Sequence, residues 1–156
     1  MFTIEAIQAA HAKVKSGADF PAYVKDLIAL GILSYTTYVT DGHSDYNGSN
    51  NFKLSSPAKY EPLAIADRYN EKFLTDLKAH QQGHTDYPTF RSDAAKSGIE
   101  KWVMDMEQKT CTYYDKAGNP VLTESIPGYL IPLPVYIIPL LPFPFKGRFF
   151  VMGMRY

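Results

Sequence analysis

The chain holds a single cysteine, Cys111, in 156 residues. No internal disulfide can form, and nothing in the composition calls for an oxidising compartment. Neither sign of charge is in excess: 16 Lys and Arg face 16 Asp and Glu. That balance lacks the basic footprint of a nucleic-acid-binding protein. There is no Gly-rich phosphate loop, dinucleotide fingerprint, serine-nucleophile elbow or metalloprotease histidine pair. The N-terminal stretch MFTIEAIQAAHAKVKSG has no basic start, long apolar run or cleavage site, which predicts no secretory signal and a cytoplasmic protein.

What is present is the composition of a folded domain. Apolar residues make up 46% of the chain and charged residues 21%, enough to bury a core without disulfides. The neutral total hides an asymmetry. Residues Pro127 to Tyr156 carry Lys146, Arg148 and Arg155 and no acid, so the remaining body has 13 basic against 16 acidic residues.

Periodicity predicts an α+β protein. Ile4, Ile7, His11 and Val14 share a helical face, with Gly17 as a stop. Asp19 is placed to cap a second helix that accepts Pro21 in its first turn and ends at Gly31. ILSYTTYV reads as a strand, Asp-Gly-His as a hairpin turn, and DYNGSNNFKL as strand, loop and strand. In the connector SSPAKYEPLAIAD, the alternation of Leu63 and Ile65 predicts an edge strand. The order then recurs: a helix capped by Asn70 and stopped at Gly83, another from Asp86 and Pro88 to Gly98, and strands IEKWVMDM, TCTYY and PVLTE.

The recurrence has a register. Shifted by 67 residues without gaps, Asp19–Tyr46 matches Asp86–Tyr113 at six of 28 positions: Asp19/Asp86, Pro21/Pro88, Asp26/Asp93, Gly31/Gly98, Ile32/Ile99 and Tyr46/Tyr113. Chance supplies roughly two. Phe20/Tyr87, Tyr23/Phe90 and Tyr35/Trp102 also exchange one aromatic for another. The fold class expected is therefore α+β, an internally duplicated ααβββ unit whose antiparallel sheet packs against helices about a pseudo-twofold axis. One domain of residues 1–126 would hold repeat one (about 3–55), a connector (56–69) and repeat two (about 70–125).

Few residues suggest chemistry. His80 and His84 have a helical metal-ligand spacing, but Gly83 lies between them and no further ligand is evident, so no metal site and no cofactor are expected. In the repeat, His11 and His80 fall opposite apolar residues, which predicts packing roles. His43 sits in the turn TDGHSD between Asp41 and Asp45, and a carboxylate there would orient its ring as a general base requires. Its repeat partner is Thr110, so the turn itself does not need a histidine. Cys111 has no neighbouring cation to activate its thiol. Tyr35, Tyr38, Tyr46, Trp102, Tyr113 and Tyr114 fall on strands, where alternation sends Tyr35 and Tyr38 to opposite faces.

From Ser125 to Phe145 no charge occurs over 21 residues, a length that would span a bilayer. Six prolines in that stretch disfavour a helix, and the apolar residues between them suit an extended strip. A membrane is not expected to meet the body; the tail is compatible with one.

The strings AHAKVKSGADFPAYV, DGHSDYNG, SPAKYEPLAIAD, FLTDLKAHQQGHTDYPTF, AAKSGIEKWV and TCTYYDKAGN together resemble a bacterial and prophage family of undefined role, labelled phage envelope protein or YbcV-like. The resemblance covers residues 1–126 and implies a cytoplasmic bacterial or prophage protein, with no catalytic residue to carry over. The tail from 127 to 156 departs from it, which suggests a shifted reading frame, read-through or fusion. The reading that follows is a non-enzymatic binding or interaction module with a protein or small-molecule partner, and a homo-oligomer is compatible with it. The alternatives are an enzyme or small-molecule sensor with a pocket at the pseudo-twofold interface, and a phage- or envelope-associated structural protein. His43, Tyr35, Tyr38, Tyr46, Trp102 and Tyr113 are the candidate ligand-binding residues. No nucleic acid is expected as a partner.

Overall fold

The computed structural model describes residues 1–14 and 19–126. The expected stop at Gly17 and the tail from Pro127 lie outside the described residues. Four helices and a six-stranded antiparallel sheet make an α+β fold. Along the chain come α1 (Ile4–His11), α2 (Phe20–Ala29), β1 (Ile32–Tyr38), β2 (Ser44–Gly48), β3 (Lys53–Ser55), α3 (Lys72–Gln81), α4 (Tyr87–Lys96), β4 (Ile99–Asp105), β5 (Thr110–Asp115) and β6 (Pro120–Ser125). The sheet order is β3-β2-β1-β4-β5-β6, so β1 and β4 meet at its centre and β3 and β6 form its edges.

Local chemistry accounts for most boundaries. The Thr3 hydroxyl accepts from Ala6 N at 3.2 Å and caps α1. Asp86 has an extended backbone (ψ 170) that swings its carboxylate over the first turn of α4, where it accepts from Thr89 N at 2.8 Å. Asp19, expected to do the same for α2, makes no capping bond. Its own backbone is already helical (ψ −10), where that of Asp86 is extended. Asn70 precedes α3 by two residues, and its amide oxygen accepts from Lys72 N. Gly98 ends α4 at φ +77 in tight quarters: a Cβ there would lie 2.5 Å from the Arg68 carbonyl oxygen.

The connector contains no strand, contrary to the alternation of Leu63 and Ile65. Both pack partly buried against the core. The backbone amides of Leu63 and Ala66 are taken by Thr40 O and Ala95 O, each outside the sheet, so the segment straps the β1–β2 turn to the end of α4. The period-2 pattern records burial, while among the described residues the segment pairs with no strand.

One face of the sheet is buried. Ile32, Tyr35 and Thr37 on β1, Ser44 and Tyr46 on β2, Ile99, Trp102 and Met104 on β4, and Cys111 and Tyr113 on β5 point to it. Ile7 and Ala10 of α1, Val24 and Leu27 of α2, Phe73 and Leu77 of α3, and Phe90 and Ala94 of α4 join them in one core. The opposite face carries Ser34, Thr36, Tyr38, Lys101, Val103 and Thr112, none of them buried.

The central pair is centred on Thr36 opposite Val103, residues 67 positions apart. Each half has a bulge at the start of its first strand, between Ile32 and Ser34 and between Ile99 and Lys101, again 67 apart. Tyr35 faces Tyr46 across β1 and β2, as Trp102 faces Tyr113 across β4 and β5.

Candidate functional site

The buried face of the sheet is the floor of a cavity of about 780 Å³. Pockets that hold small molecules run roughly 300–1,000 Å³. Phe20, Tyr23 and Leu77 of the helices and Tyr35, Tyr46, Trp102 and Tyr113 of the sheet supply its apolar walls. Exposed Gln8, Pro57, Ala58 and Ser125 mark where its lining reaches solvent.

Two rows of cross-strand neighbours run along this face of the sheet, and all of them but Leu54 and Leu122 line the cavity. One row reads Ser56, Ser44, Thr37, Trp102, Tyr113, Leu122. The next reads Leu54, Tyr46, Tyr35, Met104, Cys111, Glu124. Counted outward from the Thr36–Val103 pair, the register sets Trp102, Tyr113 and Leu122 in positions matching Tyr35, Tyr46 and Leu54, aromatic for aromatic and leucine for leucine. Thr37, Ser44 and Ser56 likewise match Met104, Cys111 and Glu124 in register, and there the chemistry differs.

On the hydroxyl side, Thr37 Oγ1 and Ser44 Oγ are 2.9 Å apart, and Ser44 N donates to Ser56 Oγ at 2.8 Å. These bonds satisfy polar atoms taken out of water. On the other side, the Gln81 carboxamide nitrogen donates to both Glu124 oxygens, at 3.1 and 2.9 Å, and the Tyr113 hydroxyl lies 3.4 Å from one of them. Burial pushes the Cys111 thiol up to about 12 despite its contact with Tyr113, so it is a neutral thiol and no nucleophile. Burial, reinforced by neighbouring titratable groups, also lifts the Tyr35 and Tyr113 phenols well above their ordinary range. They serve as uncharged walls, and the Tyr113 hydroxyl donates toward Glu124.

His11 also lines the cavity, edge-on to Tyr23 at 5.3 Å. Burial and then the charge of Lys59 hold its pKa below the ordinary value. His80 is buried on α3, stacked on Phe90 at 4.4 Å, with Nδ1 3.1 Å from Thr85 O. Burial lowers its pKa as well. His84 stands exposed beyond Gly83. Among the described residues no group of three or more His, Cys, Asp and Glu is arranged to hold a metal ion.

Of the six residues singled out from sequence, four meet in the cavity: Tyr35, Tyr46, Trp102 and Tyr113. The other two stand together elsewhere. His43, at the end of the β1–β2 turn, stacks on Tyr38 with 4.4 Å between ring centres and 9° between planes. Its Nδ1 is 2.5 Å from Asp41 Oδ1. Burial opposes ionisation of Asp41, but the bonds from the His43 ring and amide outweigh it and hold the carboxyl below its usual range. The dyad fixes the imidazole, as a general base needs, but neither Tyr38 nor His43 lines the cavity.

Glu124 and Gln81 were not anticipated. A signal was present, since Glu124 is two residues from Leu122 and strand alternation puts both on one face. Which face is buried depends on the β5–β6 register, and the turn DKAGN alone does not fix it.

The chain belongs to the DUF1398 family of proteins of unknown function, whose model matches residues 8–125. An uncharacterized protein of Mycobacterium tuberculosis and one of Mycobacterium bovis are each 39% identical to it over 41 residues. That match covers 26% of this chain and 25% of each relative, so the chain spans about a quarter of their length. Among the described residues no helix is long and apolar enough to cross a membrane.

Proposed function

We propose that this protein is a small-molecule-binding module whose ligand, largely apolar and carrying an aromatic or aliphatic body, occupies the cavity between sheet and helices. The observation that carries this reading is a space of about 780 Å³ on the inner face, walled by Tyr23, Tyr35, Tyr46, Trp102 and Tyr113. Filling it with apolar surface is favourable at roughly 25 cal/mol per Å² removed from water. The polar side chains of the floor are few, and Thr37, Ser44, Ser56 and Glu124 each make bonds within the protein, which suits orientation of a ligand more than chemical attack upon it.

The matching register, bulges and aromatic pairs of the two halves support descent from one duplicated unit. On that view the cavity formed where the duplicated faces met, and the positions at which the halves diverged are those that face the ligand. The bacterial, cytoplasmic and phage-associated role rests on the resemblance described above and adds nothing to the choice of ligand.

Trp102 is the only tryptophan, so its fluorescence reports on the cavity. Titrating the full chain with phenylalkyl alcohols of increasing length should change that fluorescence saturably and raise the melting temperature. A hundredfold excess over Kd stabilises by about 2.7 kcal/mol. Cys111→Phe, which fills part of the cavity, should abolish the response. No saturable change across the series, or equal binding by Cys111→Phe, would overturn the reading.

A further inference from the structure

The cavity floor is unlike at its two edges. From Ser56 on the β3 side to Glu124 on β6, it spans five strand spacings, roughly 24 Å. Hydroxyls line one end, and Lys59 stands three residues beyond Ser56 among the lining residues. Aromatic rings fill the middle. At the other end the Glu124 carboxylate is half-buried and anchored by the Gln81 carboxamide and the Tyr113 hydroxyl. Gln81 and Tyr113 hold the Glu124 side chain on the lining side of an edge strand, where a fully solvated glutamate would instead swing into water. A carboxylate has about four lone-pair sites, and the protein bonds engage three of them, so an acceptor position remains.

We propose that Glu124 is the specificity-determining residue of this cavity and that the ligand is an elongated, largely apolar molecule ending in a protonated amine. The inference rests on the ligand-binding reading above and adds the charge and direction of what is bound. The amine donates to Glu124 beside β6, and the apolar body lies along Tyr113, Trp102 and Tyr35. Lys59 at the opposite end disfavours the reversed pose, because a cation placed there meets like charge. A carboxylic acid of the same shape is repelled by Glu124 in the forward pose. A charge-assisted hydrogen bond from ammonium to carboxylate is about twice as strong as a neutral one.

The test uses the full chain and three isosteres: phenylbutylamine, phenylbutanol and phenylbutanoate, each read by Trp102 fluorescence. The amine should bind about tenfold tighter than the alcohol, and the acid weakest. Glu124→Gln keeps the shape but removes the charge and replaces one acceptor oxygen with an NH2 donor. It should weaken the amine about tenfold, leave the alcohol within about twofold, and improve the acid. Equal binding of amine and alcohol to the unaltered protein overturns this inference while leaving a ligand-binding cavity in place. Tighter binding of the acid overturns it too, and points to the Lys59 end as the anchor. Failure of all three to bind overturns both readings. Should Glu124→Gln not fold, as judged by circular dichroism, the ranking of the isosteres on the unaltered chain still decides.

Discussion

Burial acts on single side chains here in ways that can be measured. Cys111 is the sole thiol and its pKa is pushed up to about 12. At about pH 8 its thiolate fraction is then roughly one in ten thousand, so disulfide reagents should label the folded protein at least about a thousandfold more slowly than the unfolded chain. Rapid labelling of the native protein would contradict the buried thiol. His11 and His80 both have folded pKa values below 6.5, their value when free. Between those values the unfolded chain binds more protons, so their contribution is intact above about pH 6.5 and is lost as pH falls from there through the lower folded values. Urea midpoints should therefore drop from about pH 7 to about pH 5, and His80→Phe should flatten that slope. Two glycines separate backbone strain from crowding. Gly31 has φ +90 and open space where a Cβ would stand, whereas Gly98 faces the Arg68 carbonyl. Gly31→Ala should cost about 1 kcal/mol and Gly98→Ala roughly 3 kcal/mol in chemical denaturation.

At the level of elements, the two helices that open on Asp-aromatic-Pro are not equivalent. Asp86 bonds to Thr89 N and Asp19 makes no such bond. Asp86→Ala should destabilise by about 1 kcal/mol and Asp19→Ala by clearly less, a difference visible in thermal unfolding. The sequence cannot separate the two aspartates, because capping depends on the backbone angle of the cap residue, not on its identity. Strands were easier to read. Tyr35, Trp102 and Tyr113 announce a half-buried pleat by alternation, and the Gly31 and Gly98 stops place the starts of β1 and β4. Leu63 and Ile65 alternate in the same manner without forming a strand, since alternation records burial and a ladder also needs a neighbouring strand with free hydrogen-bonding groups. Glu124 and His43 show the same limit at the site. His43 closes a turn and Glu124 lies within β6, and only turn geometry and strand register send one to a separate stacked dyad and the other to the cavity.

For the whole molecule, the sheet centre is what joins the halves. Pairing β1 with β4 places both buried faces on one side and leaves a cavity where the helices of the two halves do not fill the space between them. The family match ends at residue 125 and β6 ends at Ser125, so a chain ending at Pro127 should retain the sheet and unfold cooperatively. Loss of folding on that truncation would make the tail integral. The claim that organises the account is that the inner face of the sheet binds a ligand. A heteronuclear NMR titration of the full chain with phenylbutylamine tests it most directly. The account predicts shift changes centred on Tyr23, Tyr35, Trp102, Tyr113 and Glu124, with little change around Tyr38 and His43. Changes centred on the Tyr38–His43 face, or none at saturating ligand, would contradict it.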